Sequence, residues 1–533
     1  MRLRGTLIVF AMSILIFLQA TNISLLTTAQ SAIAAELDAF ENVTWFTSAY
    51  LVAMSSIAPL VGRLCTVFPP KQCMFTASVI FAIGSLITGL APHLDLFLVG
   101  RVVTGVGASG IFTVSLIVVL QLATDERRGL FIGLLNTGYT VGVSVGAVLS
   151  GALEPVIGWR ALFWGQSPFV IIAGLVLLIK LPDFSTSKYN SRTDVSLRQK
   201  LARLDYLGAV TLTATIFLML LGLSSPTIQI LPIVLSLIIL PIFVFNEAYL
   251  ASDPVIPVVI LKSRGMLFSC IATLGFMMSR WTILFYTPVY AISVRQWHSA
   301  KAGSILIPTN AGFALGGILV GWLHIKRSGS FYIPSIVANI LFPLSLLSMS
   351  YASTATSSTA LFVSLTFVNG MITGSSLNYT LSHLLHLTPT HTHFIASSLL
   401  ATFRGFAGSF GSAIGGGVFT RTLQRSLTNG FVGHGLGHKT GLVRKLLGSP
   451  ALVGTLGEPE KSIAIGAYVD ATRGLFAAAA GLTALMVLAQ AATGWRAAEP
   501  KKAGDEENDR MEETLQPYRD DTQSDEEDHH RVS

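Results

Sequence analysis

The chain has 533 residues, 51% hydrophobic and only 12% charged, with a net charge of +7. A soluble protein carries about twice that charged fraction, and here the apolar residues recur along the whole length, which excludes a soluble domain and a single-anchor protein alike. The excess Lys and Arg sit in short loops between apolar runs, so they point to membrane topology and not to nucleic acid.

Apolar runs long enough to cross a hydrocarbon core, about 20 residues each, occur fourteen times. The first, at 6–30, follows the basic Met1–Arg4. A faint cleavage-like stretch lies at Ala32–Ala35, but a run this long exceeds a signal h-region of roughly 7–15 residues and reads as a span. The next five lie near 44–65, 73–91, 95–121, 130–153 and 161–181. Two more fall at 206–224 and 230–249. The last six lie near 266–292, 300–323, 331–352, 359–382, 394–419 and 472–496. The tail from Lys501 is acid-rich and poor in large apolar residues, a composition that predicts disorder. Within it, Ser524 before Asp525–Asp528 is a candidate phosphorylation site, although a solvated spacer is the simpler reading.

With the N-terminus inside, the short inner loops receive Arg63, Lys71, Arg127, Arg128, Lys188, Arg192, Arg198, Lys200, Arg203, Lys262, Arg264, Lys326 and Arg327. The short outer loops receive only Arg160, Arg295 and Lys301. This asymmetry predicts cytoplasmic N- and C-termini. Loop 421–465 is basic yet predicted outside, and its GLVRKLL segment suits a helix on the membrane surface. Asn42-Val43-Thr44 is a sequon in the first outer loop, making Asn42 a candidate glycan acceptor. Cys65, Cys73 and Cys270 are scattered and support neither a disulfide framework nor a CxxC metal site.

Arg101 lies inside LFLVGRVVTGVGASGIFTVSLIVVLQL. An arginine at mid-bilayer costs ~2.5–3.5 kcal/mol on insertion scales, so it is expected to face a polar interior. A weak internal repeat accompanies it. Gly138, Gly142 and Gly146 in the fifth span are echoed by Gly408, Gly411 and Gly415–Gly417 in the thirteenth, and GRL (Gly62–Leu64) by GWLHIKRSG (Gly321–Gly329). Small residues at such spacing let helix backbones approach closely. The echoes suggest two six-span halves flanking spans seven and eight, with boundaries at 1–182, 183–264, 265–497 and 498–533.

These motifs carry a resemblance. TWFTSAYLVAMSSIAPLVGRLCTVFPPK (Thr44–Lys71), LFLVGRVVTGVGASG, GVSVGAVLSG with GWRALFWGQSP, and ARLDYLG (Ala202–Gly208) resemble the ordered motifs of fungal fourteen-span drug:proton antiporters of the major facilitator superfamily. RWTILFYTPVYA, AGSILIPTNAGFALGG and LATFRGFAGSFGSAIGGG are similar to a fungal subgroup that includes vacuolar amino-acid transporters. The resemblance implies an all-α major facilitator fold of two six-helix bundles plus two added spans. It also implies a small-molecule substrate, alternating access and proton coupling, with the protein acting as a monomer in a plasma or vacuolar membrane. The departures fall on the family's acids and prolines: Asn22 and Thr66 stand where Asp is usual, Ser31 and Ala147 where Pro is usual, and Pro69-Pro70 where Gly-Arg is usual. Antiport is therefore less secure than the family pattern implies.

The expected substrate or coupling path comprises Arg101, Asn22, Arg404, Asn310, Gln166 and Asn378. The expected conformational switch comprises Gly62, Arg63, Lys71, Gly142 and Gly146. Arg280, beside Trp281, reads as an interfacial anchor. No span carries a carboxylate near its middle, which favours neutral or anionic organic solutes over basic ones. His383, His386, His391 and His393 cluster around Pro389, but no Cys, Asp or Glu joins them, so a loop is read there and no metal site. Neither a P-loop nor a nucleophile–base pair appears, so no cofactor or enzyme activity is expected. An importer of the same fold and a transport-inactive sensor are the rival readings.

Overall fold

A computed structural model describes residues 2–122, 128–182, 205–224, 227–251, 256, 260–324, 330–388 and 393–495. Every regular element among these residues is helical. That follows from the solvent, because a backbone inside hydrocarbon must satisfy its own polar groups. The first bundle comprises α1 (Arg2–Ser24), α2 (Leu26–Glu36), α3 (Val43–Val67), α4 (Pro70–Leu90), α5 (Leu94–Leu122), α6 (Arg128–Trp164) and α7 (Gln166–Lys180). Next come α8 (Tyr206–Ser224) and α9 (Ile230–Phe245), the latter ending in a π-turn at Asn246–Leu250. The second bundle holds α10 (Arg264–Ser293), the short α11 (Ser299–Gly303), α12 (Leu306–Leu319), α13 (Tyr332–Ala352), α14 (Thr359–Leu387), α15 (His393–Gly433), α16 (Thr440–Gly448) and α17 (Glu460–Ala491).

Twelve helical segments among the described residues are long and apolar enough to cross a membrane. The sequence count of fourteen is not reached because two segments fall short on different grounds. Helix α7 has only 15 residues, about 22 Å at ~1.5 Å per residue. Helix α15 has 41 residues, about 60 Å, but its Gly- and Ser-rich sequence keeps it out of the apolar set. Three boundaries also differ from expectation. The last span begins at Glu460, not near 472. Helix α6 runs on to Trp164 through Gly158, whose φ of +75° interrupts the helix. The first span breaks at Leu25, where Ser24 donates to the Thr21 carbonyl at 3.1 Å and Thr27 to the Ser24 carbonyl at 2.7 Å. Such hydroxyl-to-carbonyl bonds often bend a helix.

Within the first bundle α5 packs on α3 and α4, and α1 packs on α6 and α7; within the second α10 packs on α15 and α17, and α12 on α14. The α12–α14 seam shows why glycine recurs. A Cβ at Gly312 would lie 3.0 Å from Met371 N, and one at Gly370 3.1 Å from Phe313 N. Side-chain-free surfaces let the two backbones touch. Helices α8 and α9 pack mainly on each other, with α8 also against α3 and α15. The outward faces are apolar, as Phe169, Ile172, Ile230 and Leu231 illustrate by their exposure, and in a bilayer they meet lipid.

The two bundles meet through α3–α15, α6–α11 and α6–α12. At mid-depth Ser55 bonds Ser409 at 2.6 Å and Ser48 bonds Ser412 at 3.1 Å. Toward the end that the sequence places outside, contact is tighter. A Cβ at Gly303 would lie 2.5 Å from the Ala147 carbonyl oxygen, and one at Gly151 2.6 Å from the Ser299 carbonyl oxygen.

Candidate functional site

The sequence-predicted polar residues divide into two networks. In the first bundle Arg101 is fully buried. Its Nε donates to the Phe46 carbonyl at 2.8 Å and its Nη1 to Asn22 Oδ1 at 2.5 Å. Asn22 Nδ2 in turn donates to Gln166 Oε1 at 3.1 Å, and Gln166 Nε2 to the Leu162 carbonyl at 2.8 Å. The Tyr50 and Phe163 rings lie 4.7 and 5.5 Å from the guanidinium carbon. Three of the six path candidates thus form one chain across α1, α5 and α7, enclosed within the bundle. Arg101 Nη2 has no hydrogen-bond partner, and neither has Gln19 Oε1. A buried polar atom left so costs ~1–3 kcal/mol.

The second network lies at the junction of the bundles. Arg280 is 2% exposed, so it is a buried organising residue and not the interfacial anchor its neighbour Trp281 suggested. It donates to the Thr309 hydroxyl, to the Thr309 carbonyl at 3.2 Å and to Asn310 Oδ1 at 2.8 Å. Asn310 then crosses to the first bundle, where its Nδ2 donates to Ser144 Oγ at 2.7 Å. Arg404 is half-buried, and its guanidinium lies 6.0 Å from the Phe313 ring centroid. The Arg280 guanidinium lies 5.7 Å from the same centroid. Tyr139 of α6 is within electrostatic reach of Arg404. Asn378 stands apart, donating to the Gly317 carbonyl at 2.7 Å in the α12–α14 seam. Sequence reasoning missed Tyr139 and Phe313, because an aromatic residue in a span carries no signal until its neighbours are known.

Toward the outer end the bundles enclose a narrow cleft with a cavity of about 30 Å³. Its walls carry Gln30, Thr44, Thr47, Tyr286, Ser412 and Tyr468 and no charged residue. Its outer wall includes Leu447 and Pro450. Helix α16, the GLVRKLL segment, therefore folds over the protein and does not rest on the membrane surface: Leu446 and Leu447 are buried and Tyr468 Oη bonds the Leu446 carbonyl at 2.5 Å. Arg444 on its polar side bridges to Asp38 at 2.8 Å and Glu41 at 3.1 Å. The Asp38 carboxylate, with Glu41, raises the Arg444 guanidinium above its ordinary range. A Cβ at Gly448 would lie 2.5 Å from Phe40 Cα.

Of the expected switch residues, Gly142 and Gly146 seat α6 on α1. A Cβ at either would come within 2.7 Å, of Ala20 Cβ and Thr21 Cα respectively. Ala147, in place of the family's proline, is buried, and its carbonyl accepts from Thr28 at 3.3 Å. Gly62, Arg63 and Lys71 are half-buried near the α3–α4 turn, and the side chain of Thr66 lies outside the described residues. Asn42 is exposed one residue before α3, while Thr44 of its sequon lines the cleft. The histidines do not converge: His383 bonds the Gly494 carbonyl at 3.0 Å, His393 bonds the Thr388 carbonyl at 3.0 Å, His386 is exposed, and His391 lies outside the described residues. The acidic tail with Ser524, and loop residues Arg127, Lys188, Arg192, Arg198, Lys200, Arg203, Lys326 and Arg327, also lie outside them.

A helical membrane protein with two bundles meeting over a polar cleft has the layout of a solute carrier. The Major Facilitator Superfamily profile matches residues 12–412, and the chain belongs to that family of transporters, which is not an enzyme family. "Efflux pump FUS6" of Gibberella fujikuroi is 26% identical over 438 residues, covering 79% of this chain and 76% of the relative. "Vacuolar basic amino acid transporter 1" of Saccharomyces cerevisiae is 26% identical over 316 residues, 59% of this chain and 56% of the relative. Among solved structures, the inward-facing, unoccupied bacterial homologue of the human lysosomal transporter Spinster superposes with a TM-score of 0.65 at 12% identity, covering 93% of this chain and 99% of that one. That likeness speaks to the fold alone.

Proposed function

We propose that this chain is a fourteen-span secondary transporter that exports a small organic solute by alternating access across a fungal plasma or vacuolar membrane, as a monomer with both termini cytoplasmic. In this reading 1–182 and 265–497 are the two six-span halves, 183–264 carries the two added spans, and 498–533 is a cytoplasmic tail. The count of fourteen draws support from Gly158. The helix restarts after it, so 159–180 runs on through Gly165 as a segment of about 33 Å. With α15 it supplies the two spans that α7 alone and hydropathy leave out.

The observation that carries the transport reading is the uncharged polar cleft between the bundles, covered at one end by α16. A carrier must expose one site to each side in turn, and rocking of two bundles about a mid-membrane site does that. Tight α6–α11 packing at the covered end is the contact such rocking would open. Arg101, Asn22 and Gln166 act in this reading as a rigid strut inside the first half, while Asn310, Arg280 and Arg404 sit where the halves separate. Exposed Asn42 is the proposed glycan acceptor.

A deletion strain tests the proposal by comparing solutes in cells and medium with and without the protein. Export predicts at least one organic solute retained in the deletion and released on complementation. No change in any solute would overturn it. Coupling to protons is the finer form of the reading, and a protonophore should then abolish the export.

A further inference from the structure

We propose that the second bundle encloses a hydrated polar file that ends on His383 at its inner side, and that the His383 imidazole binds the proton exchanged during transport. The inference rests on the transporter reading and names the group that carries its coupling proton.

Helix α14 buries a polar stripe. Asn369, Thr373, Ser376, Thr380 and His383 recur at spacings of three and four, so they share one face of the helix, and all five are fully buried. On α10, Ser269 and Thr273 are fully buried one turn apart. The two rows face each other. Leu387 stands one turn past His383 on the stripe's face, and Gly265 one turn before Ser269. A Cβ at Gly265 would lie 2.8 Å from Leu387 Cδ1 and 3.4 Å from Leu387 Cβ. The helices run antiparallel, so this contact sets the levels: Ser269 is opposite His383, each about 6 Å further toward mid-membrane, and Thr273 is opposite Thr380.

Along these rows the hydroxyls of Ser269, Thr273, Ser376 and Thr380, with Asn369 Oδ1 and His383 Nδ1, have no hydrogen-bond partner among the described residues; Gln490 Oε1 at the inner end of α17 has none either. Leaving one such atom dry is costly, and the sum over one bundle is comparable to the whole margin by which a fold is stable. Water is the partner of the right size. Groups one turn apart, about 6 Å, are bridged by one molecule bonding at about 2.8 Å on each side.

His383 is the titratable member of the file. Its Nε2 lies 3.0 Å from the Gly494 carbonyl, which only accepts, so Nε2 carries a hydrogen and the neutral ring presents Nδ1 as a bare acceptor. Water delivers a proton to that lone pair; the imidazolium then donates from Nε2 to Gly494 and from Nδ1 to water, and it returns the proton by the same route. The titratable or charged groups facing it from the packed elements are Tyr332 of α13, with its ring 5.5 Å away, Arg264 of α10 on the Ala492 carbonyl, Tyr379 with its partner His324, His386, and His393 of α15 on the Thr388 carbonyl. None of these is a carboxylate, so no ion pair with them fixes the proton in place. Toward mid-membrane the file is closed: Phe276, on the face of Ser269 and Thr273, packs on Phe342 with ring centroids 6.2 Å apart, short of the level of Arg280. The file therefore opens to the inner side alone, as coupling without a proton leak requires.

The test uses full-length protein in lipid nanodiscs, isotope-labelled at histidine and threonine, with water and the proton as the probes read by NMR. Magnetisation from water should reach Thr273 and Thr380 about threefold faster than Thr472, which is as deeply buried but bonds the Tyr468 carbonyl at 2.8 Å. The His383 ring signal, assigned by its contact with Tyr332 and checked by its loss in His383→Gln, should titrate reversibly between about pH 5 and 8. A signal constant over that range, or threonines no wetter than Thr472, overturns the inference. Cells separate it from the transporter reading. A solute retained by the deletion strain should be released more slowly by native cells given a protonophore, and His383→Gln should flatten the dependence of release on cytoplasmic pH. Should His383→Gln not reach the membrane, Thr380→Val is read in its place and should flatten the profile in part. Release with the native pH profile in either variant overturns the proton site and keeps the transporter. A deletion strain that retains no solute, with His383 titrating in a wet file, keeps the proton site and loses the transporter.

Discussion

Replacing Asn22 probes how a buried charge is held without an acid. Asn22→Leu removes one charge-assisted bond to Arg101 and the link onward to Gln166. A hydrogen bond to a charged group contributes ~1.5–3 kcal/mol and a neutral one ~1 kcal/mol, so the change should cost about 2–4 kcal/mol. It would leave both Nη atoms of Arg101 short of acceptors, since Nη2 already has none. Asn22→Asp behaves differently. A carboxylate ~4 Å from the guanidinium at an effective dielectric of ~20 gains ~4 kcal/mol, and its desolvation removes several kcal/mol. The amide donation to Gln166 is lost as well, so the aspartate variant should fall within ~2 kcal/mol of the native chain. Melting of the three proteins in one detergent should rank the native chain and the aspartate variant close together and the leucine variant well below. A leucine variant that melts with the native protein would refute the reasoning, because Arg101 would then draw nothing from Asn22.

Four other outcomes follow from the same geometry. Arg444→Glu sets a third acid beside Asp38 and Glu41; a cysteine placed at Thr47 in the cleft should then react faster with an outside maleimide, and high salt should narrow the difference. Gly151→Leu overlaps Ser299 and Ala300, so it should disfavour closure of the outer end and likewise speed outside labelling at residue 47. Asn310→Leu strips Arg280 of one acceptor and Ser144 of one of its two cross-bundle partners, the Leu306 carbonyl remaining; stability should drop by about 2–3 kcal/mol in a melting curve. Asn42→Gln should abolish any mobility shift on endoglycosidase treatment, and a shift that persists would place the glycan elsewhere.

Much of the layout was legible because a bilayer allows few solutions: long apolar runs must become helices, and a charge within one must find polar company. For Arg101 that company is backbone, an amide and aromatic rings, all on elements the apolar pattern locates. Where the chain leaves the simplest pattern, legibility fails for identifiable reasons. Arg280 looked interfacial because a neighbouring Trp is a common anchor signal, while Thr309 and Asn310, its partners, lie 29 and 30 residues on. Helix α16 looked membrane-bound because amphipathicity alone does not say whether lipid or protein covers the apolar face. Hydropathy places the start of α17 too late because it marks where lipid begins and not where the helix does. Gly158 is easier to place, because its positive φ divides the helix within the 154–160 break that the sequence sets between the fifth and sixth spans.

The central claim is that the two bundles rock about the cleft, and the direct test is a pair of distances. Spin labels at Ser31 and Ala451 report the covered end, where Ala451 N lies 3.4 Å from Ser31 Oγ. Labels at Leu60 and Leu399 report the opposite side of the α3–α15 contact. In lipid nanodiscs the account predicts two populations at each pair, with Gly151→Leu lengthening the first distance and shortening the second. A single distance at both pairs, unmoved by that substitution, would contradict it.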